Sequence, residues 1–305
     1  MQTILVTTSS FSKFDTKPAE TLAANGFETQ LNPFGRKLTE TEFSELLMKH
    51  QPVGIIAGVE PITQNSLEKA QNLKVISRAG IGMDAVDLDA AKKLGITVNN
   101  TPDAPTIPVA ELTIGMILTL LRRIHVSDTL IKQGEWSRPM GNLLHGKTIG
   151  IIGCGRIGSY LGNLLKPFGC VLNGYDPAHT THDLFNMQTL DELFEKSDII
   201  SLHIPYSAEN HHIINSERLS SMKKDSIIVN ASRGGLIDED ALHESLKTNH
   251  LAGAALDTFE SEPYTGPLKN FENVVLTGHI GSYAKEARTL MEMQAVENLL
   301  NSIKQ

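Results

Sequence analysis

Short apolar or β-branched segments alternate with stretches whose apolar residues recur at helical spacing from the start of the chain. In the first series the strand-like segments are TILVTT, FETQL, VGIIAG, LKVIS and ITVN. Helix-like stretches lie between them at 17–25, 39–50, 64–71 and 86–94. Such alternation is typical of a parallel sheet with crossover helices. The first hundred residues therefore predict one α/β unit.

A second and stronger series of the same kind begins near residue 148. Its strand-like segments are TIGIIG, CVLNGYD, DIISLH, SIIVNAS, AGAALD and NVVLTG. The helix-like stretches between them lie at 156–166, 189–196, 216–222 and 238–247. The pattern predicts an α/β fold class in which two doubly wound parallel-sheet domains share one chain.

Prolines at 102, 105 and 108 separate the two series. They disfavour helix before Val109, whereas the apolar residues from Ile114 to Leu121 follow helical spacing. We therefore predict that a long amphipathic helix begins close to Pro108, directly after a hinge.

The last stretch, SYAKEARTLMEMQAVENLLNSIKQ, is again helical and too isolated to form a domain of its own. We expect it to pack back onto the first unit. The predicted domains are a discontinuous substrate-binding domain, residues 1–99 with 282–305, and a dinucleotide-binding domain, residues 100–281.

Composition narrows the class of protein. The chain has 305 residues, of which 40% are hydrophobic and 20% charged, as in soluble globular proteins. It contains neither an apolar run of membrane-spanning length nor a basic leader before its first apolar segment, so we expect a cytoplasmic protein that does not bind membranes. The formal net charge of −8 argues against a nucleic-acid partner. Cys154 and Cys170 lack metal-type spacing, and we predict no metal.

A glycine motif opens the second unit. Gly153, Gly155 and Gly158 form GxGxxG between an apolar strand and a predicted helix. This context allows a tight turn, a close approach of the backbone to a pyrophosphate, and free amides at the helix start. We predict cofactor contacts at the three glycines and at Ile157 within the motif. Arg156 is either a further pyrophosphate contact or a solvated helix side chain.

Asp176 ends the strand that follows the motif, 18 positions after Gly158. A carboxylate at this place can accept a hydrogen bond from the adenosine ribose. It would repel a 2′-phosphate, and no arginine stands beside it in YDPAHT. We therefore predict NAD rather than NADP as the cofactor. The alternative is that Asp176 is a surface turn residue.

Three side chains suited to carbonyl chemistry follow three successive predicted strands. Arg233 lies in VNASRGGLID, Glu262 in DTFESEPY and His279 in LTGHIGS. Because ligands bind outside the carboxyl ends of strands in an open parallel sheet, these side chains can converge on one cleft. For His279 the alternative is a turn that needs the permissive glycines Gly278 and Gly281, with a solvated histidine between them.

Reduction of a carbonyl by NADH needs a proton donor and a group that fixes the substrate. The Arg233 guanidinium offers a fork that can hold a carboxylate and an adjacent carbonyl oxygen together. A glutamate bonded to an imidazole orients the ring and favours its charged form. We predict that Arg233 binds substrate and that Glu262 pairs with His279, the proton donor.

On these motifs the chain resembles a known family. GCGRIG, YDP, SLHIPYSAENHHII, VNASRGGLIDEDAL, LAGAALDTFESEP and LTGHIGS occur in order, after ISRAGIGMDAVDLDAAKKLGITVNNTPDAPTIPVAELTIGMIL. Together they resemble the D-isomer-specific 2-hydroxyacid dehydrogenases, with the D-3-phosphoglycerate dehydrogenases as the nearest likeness. The resemblance is specific from about residue 73 to 288. It implies a flavodoxin-like substrate domain and a Rossmann NAD-binding domain with a cleft between them.

The resemblance also implies further roles for single residues. Asp257, the Ala231 backbone and Gly281 would contact the nicotinamide end of the cofactor. His203 and Pro205 would lie along its adenosine side. The loop of Arg78, Ala79, Gly80, Ile81 and Gly82 would bind the substrate carboxylate through its backbone amides.

The implied substrate is a small anionic 2-hydroxy or 2-keto acid. D-3-phosphoglycerate is the first choice, and glyoxylate or hydroxypyruvate reduction is the alternative within the same chemistry. Arg78 either holds a distal phosphate or belongs to a structural ion pair, and further candidate cations are Lys13, Arg122, Arg123 and Arg138. A different class also stays open, an NADH-sensing corepressor that binds partner peptides. A formate dehydrogenase is not expected, because that branch replaces the glutamate present here as Glu262.

Members of the family are usually dimers, built through the helix and arm near residues 106–140. We therefore expect a homodimer, in keeping with Trp136, Leu143 and Leu144 just past that helix. We also expect the two domains to close on binding.

The chain departs from the family pattern at several places. Gly278 replaces a usual proline, Ala85 a usual asparagine, and Asp103 stands where asparagine or glycine is common. The sequence ends at Gln305, and we therefore do not expect serine feedback through the regulatory domain that many phosphoglycerate dehydrogenases carry.

Overall fold

The computed structural model describes residues 1–304. The chain divides into two compact units: Met1–Pro105 together with the segment from Ser282, and Thr106–Gly281. The connection at 100–105, which the sequence analysis assigned to the second domain, groups with the first unit. There Thr101 donates its N–H to the Gly80 carbonyl (3.1 Å), and its hydroxyl accepts the Gly80 N–H (2.8 Å).

The first unit is built on a five-stranded parallel sheet. Its strands are β1 (Gln2–Val6), β2 (Phe27–Leu31), β3 (Gly54–Ala57), β4 (Val75–Arg78) and β5 (Thr97–Asn99). Its first four helices are α1 (Lys17–Ala24), α2 (Glu40–His50), α3 (Gln64–Leu67) and α4 (Leu88–Lys93). The strand order β2-β1-β3-β4-β5 is the flavodoxin-like order. Helix α3 ends before residue 71, the predicted end, because Lys69 and Ala70 donate to acceptors only three residues back.

The second unit is built on a seven-stranded parallel sheet. Its strands are β6 (Thr148–Ile152), β7 (Val171–Tyr175), β8 (Asn186–Met187), β9 (Ile199–Leu202), β10 (Ile227–Asn230), β11 (Gly253–Leu256) and β12 (Val274–Leu276). Its helices are α5 (Thr106–Leu121), α6 (Ile124–Lys132), α7 (Arg156–Leu165), α8 (Leu190–Lys196), α9 (Ser216–Ser221) and α10 (Glu239–Lys247). The order β12-β11-β10-β9-β6-β7-β8 winds outward in both directions from β6, as in Rossmann folds. The predicted fold class is confirmed.

The helix predicted from Pro108 begins slightly earlier, at Thr106. Pro108 is accommodated because a proline in the first turn removes an N–H that has no helical acceptor. The helix ends at Leu121, and Arg123 adopts a left-handed conformation (φ 51°) that separates α5 from α6.

The last helix, α11 (Lys285–Ile303), lies in the first unit and contacts β3 and β4. Its buried apolar residues join the side of the sheet formed by Ile4, Val6, Ile56 and Val75. On the same helix the buried Arg288 and Glu292 pair at 3.1 Å. The two Glu292 oxygens accept from the Ser10 hydroxyl (3.0 Å) and the Ser12 N–H (2.8 Å), which anchors the loop after β1.

Within residues 1–304, none of the helices has the length and apolar character needed to cross a membrane. That part of the chain also holds no group of three or more histidine, cysteine, aspartate or glutamate side chains placed to bind a metal. Cys154 and Cys170 are free thiols.

Candidate active site

The glycine motif joins β6 to α7 through a turn that leaves no room for side chains at two positions. Gly153 has φ 97°, and a Cβ there would lie 2.5 Å from the His203 carbonyl oxygen. A Cβ at Gly158 would lie 2.0 Å from the Gly153 carbonyl oxygen. These two glycines let strand, turn and helix backbones touch.

Gly155 is different, because a Cβ at this position would meet nothing within 4 Å. It is the N-cap of α7, so it lies before the first-turn amides of Arg156, Ile157 and Gly158. First-turn amides have no acceptor in their own helix, and the helix dipole favours an anion beside them. The open space at Gly155 therefore fits the pyrophosphate of a dinucleotide.

Asp176 follows β7 and is fixed beside the motif. Its Oδ2 accepts the Cys154 N–H at 2.8 Å, and its Oδ1 accepts the Ala178 N–H at 2.8 Å. Each carboxylate oxygen has a second acceptor position, so the group fits a ribose hydroxyl. Burial, with a smaller effect of the Asp176 charge, raises the pKa of Cys154 to about 12. This thiol inside the motif is therefore inert at neutral pH.

His203 and Pro205 lie on the loop after β9, and Pro205 is exposed. The His203 Nε2 is 2.9 Å from the Ser201 hydroxyl, while Nδ1 is buried with no partner among the described residues. Burial lowers the pKa of His203 to about 4, so the ring is neutral at neutral pH. Its carbonyl contacts Gly153, which puts the loop beside the glycine motif. Contact with the adenosine stays a prediction for both residues.

Glu262 and His279 meet on the loops after β11 and β12. The His279 Nδ1 lies 3.0 Å from Glu262 Oε2 and 3.1 Å from Oε1. Both side chains remain about one third exposed or more. His279 itself adopts a left-handed conformation (φ 56°), whereas neither Gly278 nor Gly281 has a positive φ. The alternative of a turn that needs two permissive glycines is therefore not supported.

The buried Asp257 holds the His279 loop in this shape. Its Oδ1 accepts from the Thr277 hydroxyl (2.6 Å) and the Ile280 N–H (2.8 Å), and its Oδ2 accepts the Gly281 N–H (2.8 Å). Its carbonyl accepts the His279 N–H at 2.8 Å. The carboxylate predicted to meet the nicotinamide is thus also the anchor of the histidine loop. The sequence analysis missed this second role.

Arg233 lies on the loop after β10, between the buried Ala231 and Gly234. Asn230 fixes its backbone by donating from Nδ2 to the Arg233 carbonyl (2.7 Å), and the Arg233 Nη1 donates to the Ser232 carbonyl (2.8 Å). Because β10, β11 and β12 are adjacent and parallel, the loops that carry Arg233, Glu262 and His279 all leave the sheet at the carboxyl ends of its strands.

The predicted substrate loop lies at the end of β4 in the first unit. Ala79 donates its N–H to the Ala57 carbonyl (2.9 Å), and the Gly80 N–H is bound by Thr101. Both of these N–H groups already donate hydrogen bonds within the unit. The N–H groups of Ile81 and Gly82 are therefore the ones that stay predicted donors to a substrate carboxylate. Arg78 is 9% exposed, and its charge acts on the buried Glu60. Burial raises the pKa of Glu60, and the Arg78 charge offsets only part of this increase.

Other candidate residues are distributed over both units. Arg123 forms an ion pair with Glu272 at 2.6 Å, while Lys13, Arg122 and Arg138 are exposed. Trp136 is 86% exposed and Leu143 67%, as an interface residue requires. Leu144 is 4% exposed and belongs to the core of the second unit, so it is not available for a subunit contact. Its position before the buried strand β6 explains the difference.

Comparison with known proteins identifies the family of the chain. Residues 114–281 match a family model described as "D-isomer specific 2-hydroxyacid dehydrogenase, NAD binding domain". A D-3-phosphoglycerate dehydrogenase of Methanocaldococcus jannaschii is 43% identical over 259 residues, which cover 82% of this chain and 49% of that protein. The chain thus spans about half the length of this relative.

Two further proteins are similar over nearly their whole length. A hydroxypyruvate reductase of Thermotoga maritima is 40% identical over 267 residues, covering 84% of this chain and 87% of that protein. A crystal structure of a protein from Thermus thermophilus has a TM-score of 0.93 and 34% identity, over 99% of this chain and 97% of that one.

Proposed function

Because the chain belongs to the D-isomer-specific 2-hydroxyacid dehydrogenase family and carries its NAD-binding domain, we propose that it transfers a hydride between NAD(H) and a small 2-hydroxy or 2-keto acid. The observation that carries the proposal is the Glu262–His279 pair at the sheet edge that also holds Arg233. The open space at Gly155 and the fixed Asp176 support NAD binding in the same unit.

The proton pathway follows from the ring nitrogen that Glu262 holds. Since the His279 Nδ1 is bonded to the carboxylate, its Nε2 is the nitrogen that faces a reacting oxygen. In the reductive direction Nε2 donates its proton to the forming alkoxide, and in the oxidative direction it takes the hydroxyl proton. Glu262 keeps the ring oriented through both steps and stabilises the imidazolium.

Arg233 supplies the second requirement, which is a fixed substrate. Its guanidinium binds the carboxylate and the adjacent oxygen as a fork, so the reacting carbon is held with its oxygen towards His279. NAD(H), when bound, supplies or accepts the hydride.

D-3-phosphoglycerate with its 2-keto product is the first candidate substrate pair, supported by the phosphoglycerate dehydrogenase relative. Hydroxypyruvate or glyoxylate reduction is the second candidate, supported by the hydroxypyruvate reductase, of which this chain covers 87%. The reaction draws on the NAD pool of the cytoplasm, in keeping with two thiols that form no disulfide.

Steady-state kinetics with NADH and 3-phosphohydroxypyruvate, hydroxypyruvate and glyoxylate test the proposal. We expect saturable NADH oxidation, with kcat/KM ranking the three acids and a His279→Asn variant as the inactive control. Absence of turnover with all three, in protein that still binds NADH, refutes the enzyme and favours a cofactor-sensing binding protein.

We further propose that the second unit forms a homodimer through its exposed apolar arm. Trp136, Met140 and Leu143 are 86%, 89% and 67% exposed, a density of apolar surface that an interface buries. Sedimentation velocity should give twice the chain mass, and a Trp136→Asp, Leu143→Asp variant should shift towards the monomer. A monomeric wild-type protein at micromolar concentration contradicts this part of the proposal.

A further inference from the structure

The loops that carry Arg233 and Glu262 are packed backbone to backbone. A Cβ at Gly234 would lie 1.9 Å from the Phe259 carbonyl carbon and 2.4 Å from the Glu260 nitrogen. The contact sets how far the Arg233 loop lies from the loop that presents Glu262. Any sliding between the two loops therefore moves the substrate-binding guanidinium relative to the group that orients His279.

His212, on the loop between β9 and α9, contacts both of these loops. Its N–H donates to the Gly235 carbonyl at 2.9 Å, two residues after Arg233. Its Nε2 makes a short hydrogen bond with the Glu260 carboxylate, two residues before Glu262. Its Nδ1 lies 4.0 Å from Asp238, the N-cap of α10, which follows the Arg233 loop.

The backbone at His212 is held in a conformation that histidine rarely adopts. Its φ is 51°, in the left-handed region that disfavours residues other than glycine. Its ring stacks on His211 with centroids 3.8 Å apart, and the His211 Nδ1 lies 3.2 Å from the Tyr206 hydroxyl. The ring is thus supported on one side and bonded on the other, which offsets the strain.

We propose that His212 is a positioning residue for the hydride transfer, because it fastens the Glu262 loop to the Arg233 loop through Glu260 and Gly235. It touches neither substrate nor cofactor in this role. The inference rests on the proposed function for its kinetic consequence, but the fastening itself is a property of the fold that can be measured without turnover.

Carboxylates surround the His212 ring. Glu260, Asp238 and Glu239 face it, and His211 is the other titratable group beside it. The Glu239 Oε1 also accepts the Glu260 N–H at 2.9 Å, so it fixes the same loop from the α10 side. Protonated His212 is attracted to these three carboxylates, whereas the neutral ring keeps only its hydrogen bond. The fastening is therefore stronger in the protonated form.

Two variants remove the fastening in different ways. His212→Gly keeps the left-handed backbone and removes the ring, while Glu260→Gln keeps the shape of its partner and removes the charge. The control is His243→Ala, which breaks another histidine–carboxylate contact of the second unit, with Glu244 at 3.2 Å on α10. We expect kcat to fall about 10- to 100-fold in the first two variants, because a shift near 1 Å in a reacting group costs that much. The double variant should lose no more than either single one.

Four further readouts separate a positioning role from general structural damage. NADH affinity should stay within twofold, thermal stability should change little, and the pH dependence of kcat should change in His212→Gly but not in His243→Ala. The NMR chemical shift of the His279 Cε1–H at one fixed pH needs no substrate, and it should move in both His212→Gly and Glu260→Gln but not in His243→Ala. If the wild-type protein turns over no acid, the proposed function fails, while the His279 chemical shift still decides the positioning role. An unchanged His279 chemical shift in both variants overturns the inference.

Discussion

Alanine substitutions at Gly155 and Gly158 should separate cofactor binding from folding. The two positions lie three residues apart in one turn, yet a Cβ meets nothing within 4 Å at Gly155 and a carbonyl oxygen at 2.0 Å at Gly158. Real Cβ atoms stay about 3 Å or more from such an oxygen, so Gly158→Ala requires a movement of about 1 Å in the strand–helix contact. Overpacking of this kind costs roughly 1–3 kcal/mol.

The expected results differ in kind. For a unit of this size each kcal/mol lowers Tm by about 2–4 °C, so Gly158→Ala should lower Tm by roughly 2–12 °C. Gly155→Ala, at φ −71°, should keep the fold within about 1 kcal/mol. Its methyl group occupies the space assigned to the pyrophosphate, so NADH affinity should fall about 10- to 100-fold, or roughly 1.4–2.8 kcal/mol.

Differential scanning calorimetry and NADH fluorescence titration of both variants measure the two effects. Wild-type NADH affinity in Gly155→Ala would refute the assignment of that space to the cofactor. A Gly158→Ala variant as stable as the wild type would refute the close contact between Gly158 and Gly153.

Three more outcomes follow from the site. His279→Asn should lower kcat by at least 100-fold while NADH still binds, and near-normal turnover would contradict the proton transfer. Asp257→Asn should destabilise the second unit by about 1–3 kcal/mol and lower kcat. The reason is that the new amide group would face donors such as the Gly281 N–H. Unchanged urea unfolding would contradict this prediction. Burial lowers the pKa of His203 to about 4, from about 6.5 in the unfolded chain. Between these two pH values the unfolded chain binds more protons than the folded chain, so stability falls as the pH drops through this range. The loss should approach roughly 3 kcal/mol at pH 4; urea unfolding at pH 7 and 4.5 should show a smaller loss in His203→Gln, and equal losses would refute the effect.

The strand and helix pattern predicted most of the fold, because the central parallel strands, such as β3, β9 and β10, are buried along their whole length and appear in the sequence as mostly apolar runs. The pattern failed where a local backbone conformation or a short element decided the outcome. Helix α6, which the left-handed Arg123 separates from the predicted helix α5, was not expected, and the two-residue β8 is too short to leave a periodic signal.

The candidate site also contains features that the sequence predicts and features that it does not. Glu262 and His279 could be placed near each other because both follow adjacent strands of a parallel sheet. The role of Asp257 as an anchor and the bond between His212 and Glu260 arise only from tertiary contacts, the latter between residues 48 positions apart. The sequence offers one relevant feature, the adjacent histidines His211 and His212, but a pair of histidines does not by itself indicate which residues they contact.

The position of α11 has a consequence for synthesis on the ribosome. The sheet of the first unit has two apolar faces, and α11 supplies Met291, Val296 and Leu299 to the face that contains Ile4 and Ile56. During translation the part of that face that α1 does not cover stays exposed until residues near 303 have left the exit tunnel, whereas all of the second unit has emerged earlier. The first unit, although it begins the chain, is therefore the last to complete its fold, and nascent chains stalled before α11 expose an apolar surface of the kind that chaperones bind.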